Sequence, residues 1–230
     1  MDTKARPNRL SFVSLVPLLG IRGFPVKTIR GLETLTSMQH DGYSLIEMVF
    51  VAGLMATVAA AATPQMLTSL DDSKALGAVR YMSFRLQRAR MEAAARSADV
   101  AIRFTVSGSS YSFAAYVDGN GNGVRSRDIQ DGVDVEIQRP ERLIDQFSGV
   151  DFGALPGLPP VDSSSSAPGT DPIRLGSSNM ATFTNAGTAT PGSLYIRGRR
   201  NLQYVIRVFG ETGKTRILRF DSGTWQWKPL

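Results

Sequence analysis

The residue types that most often carry out catalysis are scarce in this chain of 230 residues. It contains no cysteine, which excludes a disulfide, a thiolate metal site and a cysteine nucleophile. Its single histidine, His40, is the only source of an imidazole base or an imidazole metal ligand. Carboxylates and lysines are the catalytic groups that remain. We therefore expect a protein that binds or assembles rather than an enzyme.

Glu47 is the residue whose surroundings most clearly demand a partner. It is the only charged residue between Leu45 and Thr63, in the sequence LIEMVFVAGLMATVAAAAT. Such a run is close to the minimum length of a membrane-spanning helix, and a charge at the centre of such a helix costs about 2.5–3.5 kcal/mol. Two interpretations are open. The Ser44-x-x-Glu47 spacing fits a capping box at a helix start, whereas a cation from another chain would make Glu47 an assembly residue.

The hexapeptide GYSLIE at residues 42–47, followed by the apolar run, resembles the N-terminal signal of type IV pilins and type II secretion pseudopilins. The resemblance implies that a prepilin peptidase cleaves between Gly42 and Tyr43, and that the new N-terminus at Tyr43 is methylated. It also implies that Glu47 pairs with this amine in a neighbouring subunit during filament assembly. Pro64 lies where many members of the family have a helix-bending proline.

Residues 1–42 are the leader peptide on this interpretation. They hold six basic and three acidic residues, so cleavage would lower the net charge from +6 to +3 and remove His40. Translation from Met38 would instead give a leader of only residues 38–42. A different alternative is a secretory signal, because the apolar segment Leu10–Ile21 follows three basic residues.

Hydrophobic periodicity predicts an α+β fold with a long N-terminal helix and a mostly antiparallel β head, a pilin-like layout. We expect one helix from Ser44 to Arg96, with residues 43–64 in a membrane or filament core and residues 65–98 packed on the head. The second part is amphipathic, with its basic residues on faces other than the apolar stripe. That stripe consists of Val79, Met82, Leu86, Ala89 and Ala93.

The head is expected at residues 99–230, where apolar residues alternate with polar ones as in strands. Residues 100–106 and 111–117 predict a hairpin, and further strands are expected near residues 194–197, 202–209 and 214–220. A strand with one solvent-exposed face is predicted where Val133, Val135 and Ile137 alternate with Asp134, Glu136 and Gln138. Trp225 and Trp227 are expected on one face of a final strand. The Pro- and Ser-rich segment 149–172 is expected to be a mobile loop.

A loop in the head begins like a calcium site. Asp118, Asn120 and Asn122 place oxygen atoms at alternate positions, and Gly123 is sixth. Asp128 comes one residue before the position at which an EF-hand has its bidentate carboxylate. Repeated Asn-Gly pairs also form ordinary tight loops. Calcium is thus the only cofactor that the sequence suggests, and a loop without a cation is the alternative.

The C-terminal part is basic, and it contains a second possible binding surface. Gly213-Lys214-Thr215-Arg216 is similar to a G-R-x-R motif associated with DNA binding in some FimT-like pilins, with lysine in place of the first arginine. The resemblance suggests DNA contacts that would weaken steeply with salt, and a solvated hairpin face is the alternative. The candidate residues are Arg199, Arg200, Lys214 and Arg216.

The order of helix and strands, without a cysteine pair, resembles the GspH/FimT branch of pilin-like proteins. Members are minor subunits near the tip of type II secretion pseudopili or type IV pili. The resemblance implies a single-pass protein of the bacterial inner membrane with its head in the periplasm, which later enters a filament. The implied partners are the prepilin peptidase, other pilins or pseudopilins, and the membrane. A DNA-binding minor pilin and an unrelated envelope protein are the alternatives.

Overall fold

A computed structural model describes residues 42–163 and 165–230. The leader expected at residues 1–42 therefore lies outside the described residues except for Gly42. The same holds for both translation starts and for the alternative signal near residues 10–21. These predictions stay predictions.

The first element is one long helix, α1, which runs from Leu45 to Arg96 and continues through Pro64. Its end is set by Ser97, whose φ of 52° is left-handed. The N–H of Ala98 donates to the carbonyl of Ala93 at 3.3 Å, and the N–H of Ser97 donates to Ala94 at 3.4 Å, which is a Schellman motif. The predicted helix is confirmed to within one residue.

Helix α1 consists of two parts that differ in burial. From Leu45 to Leu70 every side chain is exposed, and we call this part the exposed half. The remainder, residues 71–96, carries a buried stripe and is called the packed half. Its small residues allow the helix axis to lie close to the sheets, and the apolar stripe predicted from the sequence is confirmed. The buried apolar residues are Ala75, Ala78, Val79, Met82, Leu86, Ala89 and Ala93.

The described residues after α1 form short helices and antiparallel strands. In chain order these are β1 (Val100–Ser107), β2 (Ser110–Val117), α2 (Ser126–Gln130), β3 (Val135–Arg142), α3 (Leu143–Gln146), β4 (Asp151–Phe152), β5 (Ile173–Leu175), β6 (Met180–Phe183), β7 (Gly192–Arg197), a 3-10 turn (Arg199–Asn201), β8 (Gln203–Val208), β9 (Thr215–Asp221) and β10 (Gln226–Pro229).

These strands build two antiparallel sheets. The first has the order β3-β2-β1-β6, and the second has the order β10-β9-β8-β7-β4, with β5 also paired to β7. The predicted hairpin is confirmed, since β1 and β2 pair from Val100 opposite Val117 to Ser107 opposite Ser110. A two-residue turn closes it, and Gly108 there has the positive φ of 65° that such turns require. The chain is therefore an α+β protein with a long apolar N-terminal helix.

The main core lies between the packed half of α1 and both sheets. Met82 and Leu86 belong to the same buried cluster as Phe113 of the first sheet and Ile206 of the second. A smaller cluster covers the other side of the second sheet, where Leu158 packs with buried residues of β7, β8 and β9. Both faces of β8 are thus covered, which explains why the sequence of β8 is almost continuously apolar.

The prediction of the apolar face around β3 holds for Ile137, which is half-buried and packs against the main core, but it is wrong for the two valines. Val133 and Val135 are 39% and 55% exposed, whereas Asp134 between them is only 2% exposed. The carboxylate of Asp134 accepts hydrogen bonds from the backbone N–H groups of Gly119 at 3.1 Å and Arg125 at 2.8 Å. Charged acceptors form strong hydrogen bonds with backbone donors. These bonds to Asp134, rather than burial of the two valines, therefore determine which side chains face inward at the start of β3.

The prediction for the two tryptophans holds only for Trp227. Trp225 precedes β10 and has a left-handed φ of 55°. Both rings nevertheless contact Phe220, each with a centroid distance of 5.2 Å. The indole N–H of Trp227 donates to the carbonyl of Pro159 at 3.0 Å and so attaches the segment 149–172 to the sheet. The mobility predicted for that segment stays a prediction.

Candidate functional site

The bond expected to be cleaved lies just before α1. Tyr43 is 75% exposed, and a Cβ atom added to Gly42 would contact nothing within 4 Å. The backbone around this bond therefore has no packing role in the described part of the chain. A side chain could be placed at Gly42 without disturbing the fold, which makes the position suitable for testing a protease.

Glu47 lies in the first turn of α1 and its side chain is exposed. The backbone N–H of Met48 donates to the carbonyl of Ser44 at 3.1 Å. Neither of the two side-chain hydrogen bonds of a capping box joins Ser44 and Glu47 among the described residues. The local interpretation of Glu47 thus lacks its contacts, and the carboxylate has no hydrogen-bond partner in residues 42–163 and 165–230.

The exposed half of α1 surrounds Glu47 with apolar side chains. It is long and apolar enough to cross a membrane, and none of its most apolar stretch is buried. A soluble protein would rarely leave such a surface in water, because large exposed apolar patches mark interfaces or membranes. The large apolar side chains that are exposed are Leu45, Ile46, Met48, Val49, Phe50, Val51, Leu54, Met55, Val58, Met66, Leu67 and Leu70.

No protein-family model, curated protein or solved structure matches the chain. Inference about its function rests on its own residues. The combination that stands out is a carboxylate at the start of an exposed apolar helix, directly after a glycine–tyrosine bond.

The loop that resembles a calcium site holds itself together by hydrogen bonds. Asp118 Oδ1 accepts the backbone N–H groups of Asn120 at 3.0 Å and Gly121 at 2.8 Å, and its Oδ2 accepts that of Gly123 at 2.7 Å. The amide nitrogen of Asn120 donates to Asp128 at 3.4 Å. No cluster of acidic or histidine side chains suited to a metal occurs in the part of the chain that the structure describes. These bonds account for the Asp-Gly-Asn-Gly pattern without a cation, and calcium binding stays a prediction.

The charge of Asp118 should make the stability of this loop depend on pH. Burial raises the pKa of its carboxyl group, but the backbone N–H donors outweigh burial and hold the pKa below its ordinary value of 3.8. A lowered pKa in the folded state stabilises the protein above the pKa of the unfolded chain, and this contribution disappears as the pH falls through the folded-state pKa.

We expect Asp118→Ala to lower the free energy of unfolding by about 1–3 kcal/mol at pH 7. The difference from the wild type should shrink as the pH falls from about 5 to about 3. Urea unfolding at a series of pH values, followed by tryptophan fluorescence, measures both. Asn122→Ala removes an uncharged side chain of the same loop and keeps its backbone N–H, so its effect should vary little with pH. A pH-independent effect of Asp118→Ala would contradict the prediction.

The structure separates the basic residues that the sequence grouped as a DNA surface. Arg200 precedes β8 and Lys214 follows it, so they lie at opposite ends of a strand roughly 20 Å long. The guanidinium of Arg200 is 3.3 Å from the carboxylate of Asp71 and also donates to Thr68. Arg199 lies beside Gly149 at the same end as Arg200. Lys214 and Arg216 form one exposed pair, and Arg199 and Arg200 form a second exposed pair at the other end of β8.

One polar cluster of the head was missed by the sequence interpretation. Arg85, one of the basic residues expected on faces other than the apolar stripe, is only 8% exposed. Its Nη2 atom is 3.5 Å from Glu141 of β3, and the same carboxylate accepts a hydrogen bond from the hydroxyl of Tyr81 at 2.5 Å. Burial, followed by this bond, raises the pKa of Tyr81. The available signal was spacing, because position 85 falls one helical turn before the buried Ala89.

Proposed function

We propose that the chain is a minor pseudopilin or minor pilin, a structural subunit built into the tip of a type II secretion pseudopilus or a type IV pilus. The observation that carries the proposal is the exposed half of α1, which has Glu47 in its first turn and continues without a break into the packed half. An apolar helix that the head leaves uncovered needs a lipid bilayer or other helices around it. A membrane-anchored subunit that later enters a filament has this helix surrounded first by the lipid bilayer and then by the helices of other subunits.

The proposed partners follow from this arrangement. Before assembly, the exposed half crosses the inner membrane and holds the head in the periplasm, and the prepilin peptidase cleaves Gly42–Tyr43. After assembly, the apolar side chains contact the corresponding helices of other pilins or pseudopilins. The protein acts through these contacts and is not an enzyme in this proposal.

DNA binding for natural transformation is the second candidate on the same scaffold. Exposed Lys214 and Arg216 on one hairpin favour it. Ion pairs oppose it, because Arg207 lies 2.9 Å from the carboxylate of Asp162 and Arg200 is paired with Asp71. Phosphate binding would have to compete with these carboxylates. We therefore favour a structural role in filament assembly over DNA binding.

The proposal is tested by the position of the cleaved bond. The full chain is co-expressed with a prepilin peptidase in a bacterial membrane, and its N-terminus is read by sequencing and intact mass. We expect a mature chain that begins with N-methylated Tyr43. Gly42→Val should abolish cleavage, because its new side chain touches nothing in the fold and only the peptidase would meet it.

Gly53→Val is the matched control. Gly53 also lies in the exposed apolar segment, and a Cβ atom there likewise contacts nothing within 4 Å, so this variant should be cleaved as the wild type is. An intact Gly42–Tyr43 bond in the wild type, or a cut shortly after residue 21, would refute the proposal. The second outcome would instead identify a secretory signal.

A further inference from the structure

A small pocket lies where the packed half of α1 crosses β2 and β3. Its volume is about 90 Å³, and three arginines of α1, Arg85, Arg88 and Arg96, line it together with Glu92 and with Gln138 of β3. None of these residues belongs to the cleavage site or to the exposed half of α1. The pocket is therefore separate from the features that carry the proposed function.

Arg85 is the residue that gives the pocket its chemistry. Its side chain is 8% exposed, and its guanidinium carbon lies 5.7 Å from the ring centroid of Tyr81 and 5.9 Å from that of Phe113. The Nη2 atom faces Glu141. The Nε atom is buried, and it has no hydrogen-bond partner within residues 42–163 and 165–230. Buried donors of a charged group are normally satisfied, because leaving one without an acceptor is costly.

The other two arginines make the pocket positive at its mouth. Their side chains are 55% and 48% exposed, and the Nε atoms of Arg88 and Arg96 lie 3.8 Å and 2.9 Å from the carboxylate of Glu92. A guanidinium has five N–H groups, so one carboxylate leaves most of these donors available. Three guanidinium groups face two carboxylates in all, Glu92 and Glu141, and the cluster keeps a net positive charge.

We propose that this pocket binds one oxyanion, either a carboxylate or a tetrahedral anion of similar size, between the guanidinium groups of the largely buried Arg85 and of Arg88 and Arg96 at the mouth. A space of about 90 Å³ holds a few water molecules, which suits a group of four or five heavy atoms. Guanidinium groups bind planar carboxylates and tetrahedral anions through paired N–H donors. The carboxylate would come from an aspartate or glutamate of a neighbouring protein chain, and the tetrahedral anion from solution.

The test uses the full chain in a neutral detergent, with acetate, sulfate and phosphate as separate probes at constant ionic strength maintained by chloride. We expect a saturable rise in the midpoint of thermal unfolding with at least one probe, because a ligand that binds only the folded state stabilises it. Arg88→Gln should raise the dissociation constant about tenfold, as expected for the loss of one charge-assisted hydrogen bond.

Arg80→Gln is the matched control, since Arg80 is an exposed arginine of the same helix that does not line the pocket. The dissociation constant of the anion from Arg80→Gln should equal that from the wild type. Binding of acetate identifies a side-chain carboxylate as the source, and binding of sulfate or phosphate alone identifies a free anion. The absence of a saturable response in the wild type, or equal weakening by Arg80→Gln and Arg88→Gln, would overturn the proposal.

Discussion

Replacing Glu47 by glutamine should lower incorporation of the chain into filaments at least about tenfold. In the proposed filament, cleavage gives each neighbouring subunit an α-amino group that is largely protonated at neutral pH, because its ordinary pKa is about 7.7–8.0. A carboxylate 4 Å from this amine gains roughly 4 kcal/mol at an effective dielectric constant of 20. Glutamine keeps the size of the side chain but not its charge. The amount of protein in sheared filaments, relative to the amount in membranes, measures the effect.

Asp72→Asn is the control for Glu47→Gln. It removes a carboxylate from the same helix, but that carboxylate faces Arg219 of the head at 3.8 Å and is 42% exposed. Exposed ion pairs contribute little, so incorporation should stay at the wild-type level. Wild-type incorporation of Glu47→Gln would show that pairing with the amine does not drive assembly.

The second large effect is expected in the core of the head. Leu86→Ala should lower the free energy of unfolding by about 2–5 kcal/mol, because Leu86 has no exposed surface and its truncation leaves a cavity between α1 and the sheets. That loss is a large part of the roughly 5–15 kcal/mol that stabilises a typical domain. Urea unfolding in detergent, followed by the fluorescence of the two tryptophans, measures it.

Phe84→Ala provides the comparison for this variant. Phe84 lies two residues earlier on α1 and is 53% exposed, so removal of its larger side chain should change the free energy of unfolding by no more than about 1 kcal/mol. Equal losses for Leu86→Ala and Phe84→Ala would show that the packed half of α1 does not form the core described above.

The elements that could be predicted from the sequence are those whose signal is local. The apolar stripe from Val79 to Ala93 specifies a helical face, and alternation specifies the hairpin of β1 and β2. The orientation of Asp134 could not be predicted, because Gly119, which donates to it, lies 15 residues earlier in the chain. The alternation of Val133 and Val135 with Asp134 predicted the wrong orientation for these residues. The two backbone N–H groups that bind the Asp134 carboxylate are brought to it only by the tertiary fold.

The same distinction applies to the sites. Gly42, Tyr43 and Glu47 could be proposed as site residues because the motif that they form is contiguous in sequence. The pocket around Arg85 could not, because its residues come from α1 and from a strand about 50 residues further along the chain. The basic residues near the C-terminus show the converse, since Arg200 and Lys214 are close in sequence but are separated by the length of β8.

The continuity of α1 has a mechanical consequence. Tension applied to the exposed half reaches the head through the backbone of one helix, with no loop between them that could extend first. The load then acts along the buried stripe from Ala75 to Ala93, roughly 27 Å long at 1.5 Å per residue. All contacts between the stripe and the sheets resist sliding of the helix at the same time. Strands pulled apart from one end would instead lose their hydrogen bonds one after another. The head is thus attached in the geometry that best withstands a pulling force.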